Sequence, residues 1–285
     1  MLLVPLAFAQ EPPPIVNGSS TSDYPQAVLL RRAPADWSVV YVCSGTLVAP
    51  QWVLTAAHCV VDTYDEGLTE MRVYSGAKWR PDVDEIEADD WIAHPEYHVS
   101  PDGLTIANDL GLVHLSEPLP YDPIPLNHEP VTETGEVLRW VGWGASSDEF
   151  NDAGTEKRTG EMAIVGFENE FLLAYDEGGV ATCGGDSGGP VLRDGTLVAA
   201  HSFARDDDGT LCAGSTSGDT RVDLYTDWIE ATIGEEDTGD PGEDTAPPVD
   251  RVHDSEEPGG CGCRTETGTG LGWIAGLLLV VRRLR

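Results

Sequence analysis

From Ile15 to about Val222 the chain has no long helical periodicity, only short apolar or alternating runs such as Ala27 to Leu30, Val39 to Val42, Trp52 to Thr55 and Val137 to Val141. Gly, Pro, Asn and Asp punctuate them. Many short strands at close spacing can bury their apolar faces only against one another, so the region reads as an all-β barrel or sandwich. One helical pattern closes it. Over Asp223 to Ile233, Leu224, Tyr225, Trp228, Ile229 and Ile233 share a face behind Asp223 as the expected cap. The proline-rich stretch Glu117 to Pro130 cannot form a central strand, since proline lacks the ladder donor, and is expected to join two lobes.

The chain of 285 residues is 40% hydrophobic, enough for a buried core. Its formal net charge of -34 repels nucleic acid and anionic lipid, so nucleic-acid binding is excluded, and the acidity reads as a solvated surface. The six cysteines suit an oxidising compartment. Residues 1–9, MLLVPLAFA, form an apolar run ending in a small-x-small triplet, and are expected to be a signal peptide with no basic n-region. Residues 10–14 would then be a short pro-segment. Residues 234–260 are rich in acid, Pro, Gly and Thr, which is a linker composition. Residues 261–285 hold Cys261 and Cys263, a flexible spacer, an apolar run and an Arg-rich end. That run is too short to span a bilayer, which takes roughly 20 residues. The segment resembles the C-terminal sorting tags of myxobacterial surface proteins (the MYXO-CTERM type). The resemblance implies a bacterial protein held at the membrane or cell surface through its tail.

Three segments carry chemistry. Cys183 to Pro190, CGGDSGGP, flanks Ser187 with glycines that allow a tight turn. A serine hydroxyl needs a base to take its proton, and the oxyanion it creates needs preset donors. Here the N–H groups of Gly185 and Ser187 are the expected oxyanion hole. His58 lies in LTAAHC, between Cys43 and Cys59, which could close a disulfide around its loop. Asp109 heads the apolar run NDLGLVHL, where a buried carboxylate needs a donor such as an imidazole N–H. The order His, Asp, Ser is that of the chymotrypsin arrangement in the general account of serine-protease triads.

With IVNG at Ile15, VGWG at Val141 and the closing TRVDLYTDWI, these motifs resemble the trypsin and chymotrypsin family over residues 15–233. The resemblance implies two six-stranded antiparallel β-barrels with a C-terminal helix and the active site in the cleft between the barrels. It implies a secreted serine endopeptidase, a monomer acting on protein or peptide substrates without a cofactor, with the catalytic residues His58, Asp109 and Ser187. It also implies disulfides Cys43 to Cys59 and Cys183 to Cys212, and an activation pair in which a freed Ile15 amine meets Asp186.

Two departures stand out. No Arg or Lys precedes Ile15, so a different protease is expected to trim the chain there. Ala181, six residues before Ser187, replaces the carboxylate that binds Lys or Arg in the trypsin branch. With Thr182, Ser202, Phe203, Ala204 and Ser217 or Gly218, small neutral walls suit a small or apolar P1 side chain. His201 with Thr182 also resembles the glutamyl endopeptidases, which implies acidic P1 side chains as the other option. The remaining histidines lack metal-ligand spacing, and the acidic run Asp82 to Asp90 reads as an exposed loop, so no metal is expected. The rival class is a catalytically silent surface binding protein on the same fold.

Overall fold

A computed structural model describes residues 15–61, 67–79, 83–100, 105–147, 149–205, 212–236 and 279–280. The expected signal peptide, pro-segment, linker and tail fall outside these residues, apart from 234–236 and Leu279–Val280. The latter pair antiparallel with Val42 and Tyr41.

The alternating runs close into two all-β lobes of six antiparallel strands each. The first lobe comprises β1 (Ala27–Ala33), β2 (Tyr41–Ala49), β3 (Trp52–Thr55), β4 (Glu70–Gly76), β5 (Val83–Ala93) and β6 (Gly111–Leu115). Its ring order is β1-β4-β5-β6-β3-β2, closed by β2 on β1. The second comprises β7 (Val137–Gly142), β8 (Arg158–Glu168), β9 (Phe171–Tyr175), β10 (Pro190–Arg193), β11 (Thr196–Arg205) and β12 (Thr216–Arg221). It runs β8-β7-β10-β11-β12-β9 and closes β9 on β8. Closure removes the sheet edges that would otherwise invite other chains.

Each barrel has its own core. Val28, Leu30, Leu47, Val53, Val73, Val113 and Leu115 fill the first. Leu138, Trp140, Met162, Ile164, Leu172, Val191 and Val198 fill the second. A third cluster joins Trp52, Leu54, Leu110 and Leu112 of the first lobe to Val141, Leu192, Leu197, Tyr225 and Ile229 of the second. That shared core holds the two lobes against each other. Truncating a fully buried leucine such as Leu112 to alanine would cost roughly 2–5 kcal/mol. The proline-rich connection runs between the lobes, with Ile124 N–H on Leu47 O at 2.9 Å and Asn127 N–H on Leu197 O at 2.9 Å.

Two local expectations are corrected. From Val83 onward the acidic run is strand β5, not a loop: Ala88 is buried, Ile86 is half-buried, and Asp84, Glu85, Glu87, Asp89 and Asp90 are exposed. Near-alternation at period two carries those carboxylates into water. At the C-terminal end the helix, α2, spans Thr226–Glu236 and follows a 3₁₀ turn at Val222–Leu224. The turn shifts the phase, so Leu224 is 51% exposed while Val222 is buried. Asp223 pairs with the Arg221 guanidinium instead of capping the helix.

Candidate active site

His58 lies on the single-turn helix α1 (Ala57–Val60), at the end of β3. The Cys43–Cys59 disulfide ties that turn to β2. Asp109 precedes β6, which pairs with β3, so strand register brings the carboxylate beneath the imidazole. His58 Nδ1 is 2.8 Å from Asp109 Oδ2, and the His58 backbone N–H donates to Oδ1 at 3.0 Å. Ser202 Oγ donates to Oδ2 at 2.6 Å. Both oxygens of a fully buried carboxylate are therefore satisfied.

Burial alone would favour the neutral forms of both groups. For His58 the charge and hydrogen bond of Asp109 outweigh burial and hold its pKa above the ordinary histidine value. For Asp109 burial is likewise outweighed, by the charge of His58 and by the bonds from His58 and Ser202, so its pKa lies below the usual carboxylate value. The bonding fixes the proton of a neutral His58 on Nδ1 and leaves Nε2 as the basic nitrogen.

The turn bearing Ser187 packs on the His58 loop. Ser44 N–H donates to Ser187 O at 2.8 Å, and Cys59 Sγ lies 3.7 Å from the same oxygen. Gly185 has φ of 100°, a conformation that L side chains rarely adopt. Gly188 has φ of 78°, and a Cβ there would stand 2.0 Å from Thr55 Oγ1. Ser44 Oγ donates to Gly185 O at 2.9 Å and Gly188 N–H donates to His201 O at 2.7 Å. Such a turn can present N–H groups toward an oxyanion beside a hydroxyl.

Asp186 is buried, and its Oδ1 and Oδ2 accept from Gly144 N–H at 2.8 Å and Cys183 N–H at 2.9 Å. Burial raises its pKa above the usual carboxylate value despite those two bonds. No hydrogen bond or ion pair joins it to Ile15 among the described residues. Ile15 is itself buried in the second-lobe core, and Val16 bridges Ala181.

Around the expected P1 site, Ala181, Thr182, His201 and Ser202 are buried, and Phe203 and Ala204 are half-buried. The Cys183–Cys212 disulfide ties the Thr182 segment to the one before β12. Ser202 turns its hydroxyl to Asp109, because the β11–β12 register shifts between His201 and Phe203. Phe203 packs over Gly218, where a Cβ would meet its ring at 2.2 Å. One residue not anticipated from sequence lies here. Asp219, fully buried, accepts at Oδ1 from His201 Nδ1 at 2.9 Å, Ser217 Oγ at 2.9 Å and Trp140 Nε1 at 3.0 Å. Its signal was an acid inside the uncharged run Ser215 to Thr220, where each neighbour is small or apolar.

With this geometry in place, comparison with known proteins is decisive. The trypsin family model matches residues 15–229. The chain belongs to the trypsin family. It is a serine endopeptidase, acting on protein or peptide substrates. Among relatives, brachyurin of Leptuca pugilator is 30% identical over 213 residues, 68% of this chain and 89% of that protein. Trypsin V-A of Rattus norvegicus is 31% identical over 212 residues, covering 68% and 81%. Two solved structures share the fold at 24% identity and TM-score 0.62: HL collagenase, covering 77% of this chain and 98% of that one, and mouse-brain neuropsin, covering 76% and 98%. Within this trypsin-family frame Cys43 and Cys59 are joined as a disulfide, so their sulfurs beside His58 do not form a metal site.

Proposed function

We propose that this trypsin-family chain is an exported endopeptidase that cleaves peptide bonds through an acyl-enzyme on Ser187. The supporting observation is the buried His58–Asp109 contact at 2.8 Å, set against the turn that carries Ser187. His58 Nε2 takes the Ser187 Oγ proton as the oxygen attacks the scissile carbonyl. Asp109 keeps the imidazole in the right tautomer and stabilises the imidazolium that forms. The N–H groups of Gly185 and Ser187 receive the oxyanion, and His58 then protonates the leaving amine. Water repeats the sequence from the same base and releases the acid. Ile15, once freed, supplies the cation that the buried Asp186 carboxylate lacks, and this stabilises the oxyanion turn.

With Ala181 where the trypsin branch has a carboxylate, the P1 residue is not selected as Lys or Arg in the trypsin manner. The pocket of Ala181, Thr182, His201, Ser202, Phe203 and Ala204 takes a small or apolar side chain or an acidic one. The signal-like N-terminus and the two disulfides support secretion or retention at the cell envelope, with the enzyme working as a monomer. A fluorophosphonate probe tests the core of this reading. It should label the mature protein on Ser187 and fail on Ser187→Ala. Failure to label wild type would favour the silent binding protein.

A further inference from the structure

Asp109 precedes a first-lobe strand, yet the second lobe grips its stretch of chain. Ser202 Oγ of β11 donates to its carboxylate, and Thr220 Oγ1 of β12 donates to its backbone O at 3.3 Å. The residue before it, Asn108, has φ of 52°, in the left-handed region. Asparagine tolerates that conformation better than most side chains, but it persists only where the surroundings enforce it. Here every polar atom of Asn108 is bonded. Leu110 N–H donates to its backbone O at 2.8 Å, Tyr225 OH donates to Oδ1 at 2.9 Å, and Nδ2 donates to Glu96 O at 2.9 Å.

The fourth bond is the one made to a charged group. The Asn108 backbone N–H donates to Glu170 Oε1 at 2.8 Å. Glu170 lies in the two-residue turn between β8 and β9, where Glu168 pairs with Phe171 and Asn169 has φ of 53°. Its backbone O accepts from Arg221 N–H at 3.0 Å, which fastens the turn to β12. The half-buried side chain thus reaches from an anchored corner of the second barrel to the peptide that precedes Asp109. Burial, followed by the charges of Glu170, Glu96 and Asp109, raises the Tyr225 pKa above its ordinary value, so that hydroxyl remains a donor to Asn108. An N–H bond to a carboxylate is the stronger kind of backbone contact.

We propose that Glu170 is a positioning residue for the proton-transfer pair: by fixing the left-handed peptide at Asn108, it sets the angle at which Asp109 meets His58 Nδ1. The proposal rests on the endopeptidase reading above. Glu170 touches neither substrate nor the reacting atoms; it acts through Asn108 and Asp109. The contact requires an acceptor oxygen at the end of a stem of this length, and a neutral oxygen there serves as well.

The test uses mature enzyme and a set of peptides differing only at P1. Glu170→Gln keeps the stem and an acceptor without the charge, Glu170→Asp keeps the charge on a shorter stem, and Glu170→Ala removes both. In Glu170→Ala and Glu170→Asp, kcat should fall by about 10-fold, the scale of a part-ångström displacement of the acid, with KM unchanged and the same factor on every peptide. Glu170→Gln should stay within about 2-fold of wild type, since its oxygen still reaches the Asn108 N–H. In the two impaired variants the acid limb of kcat/KM should move to lower pH, because a His58 less well bonded to Asp109 has a pKa nearer the ordinary value. The ¹H resonance of the His58 Nδ1 proton should move upfield in the same two. Glu170→Gln and Glu170→Asp suffice if Glu170→Ala does not fold. A loss in Glu170→Gln as large as in Glu170→Ala would overturn the proposal, since charge and not reach would then matter. Wild-type kcat and an unmoved acid limb in Glu170→Ala, with only Tm lowered, would overturn it as well, because the contact would be merely structural. Wild type that cuts no peptide and takes no fluorophosphonate would instead sink the endopeptidase reading, and this proposal with it.

Discussion

Among the described residues two buried Asp–His contacts have nearly equal length, His58–Asp109 at 2.8 Å and His201–Asp219 at 2.9 Å, and they are finished differently. Asp109 spreads three donors over both oxygens, one of them the backbone of its own histidine. Asp219 collects three donors on Oδ1 and leaves Oδ2 bare among the described residues. The first arrangement fixes a base in one tautomer while its carboxylate stays ionised. The second gathers its donors on one side of the carboxylate, with Trp140 and Ser217 beside the histidine. Identical residue types are thus bonded in two different ways, one pair in the first lobe and one on the second barrel.

Removing the charge at each carboxylate breaks the comparison most sharply. Asp109→Asn should cost on the order of 10⁴-fold in kcat on every peptide, the loss known for the same change in the general triad template, because the amide favours the wrong His58 tautomer. Asp219→Asn should instead sort substrates by P1, because its partner His201 lies in the pocket proposed for that side chain. Steady-state kinetics on one peptide panel separates the two patterns, and a uniform loss in both variants would erase the distinction.

The two contacts also differed in how far the sequence disclosed them. His58, Asp109 and Ser187 sit in contiguous motifs whose neighbours have a local purpose: Gly185 and Gly188 occupy positive φ, and Cys59 is bonded beside the base. The barrels were legible for the same reason, since period-two patterning is local. His201–Asp219 arises only from the register of β11 on β12, which no short motif encodes. Ser202 was read as a pocket wall. The register shift beside it breaks strict alternation and turns its hydroxyl to Asp109. Leu224 falls on the exposed side, because a 3₁₀ turn has a different phase from the helix it precedes.

Each contact stands beside a disulfide, which gives the next largest effect. Cys43–Cys59 spans 16 residues and Cys183–Cys212 spans 29, so removing either should cost about 3 kcal/mol by loop-closure entropy. The kinetic consequences should part company. A Cys43→Ser/Cys59→Ser variant, assayed below its lowered Tm, should lose kcat on all substrates through a loosened His58 turn. Cys183→Ser/Cys212→Ser should mainly raise KM, through the Thr182 segment. Matching kinetics in the two variants would show that the disulfides stabilise without positioning.

Another buried charge sharpens the comparison because, among the described residues, it has no carboxylate in contact. Lys157 is fully buried, its Nζ donates to Tyr24 O at 2.8 Å, and burial lowers its pKa from 10.5 to about 8, with the Asp23 charge opposing. The folded-state value lies below the unfolded one, so the unfolded chain binds the proton more tightly. Stability is therefore penalised in full below about pH 8 and recovers as pH rises toward 10.5. The recovery amounts to about 3 kcal/mol. Urea unfolding across that interval should show it in wild type and not in Lys157→Met; parallel curves would mean that the ammonium is not held in a poorly solvated site.

The smallest effect probes the hydroxyl that completes Asp109. Ser202 Oγ shares Oδ2 with His58 Nδ1, and so draws part of the carboxylate's charge away from the imidazole. In Ser202→Ala that charge acts on His58 alone and raises its pKa further above the ordinary value. Catalysis needs the neutral ring. The acid limb of kcat/KM should therefore move to higher pH, by roughly half a unit, with a plateau loss of at most about 10-fold for one bond to a charged group. The shift should be the same for Glu and Ala peptides, since the hydroxyl removed is bonded to Asp109. A limb that moves toward lower pH would mean that the hydroxyl holds Asp109 in place more than it competes for its charge.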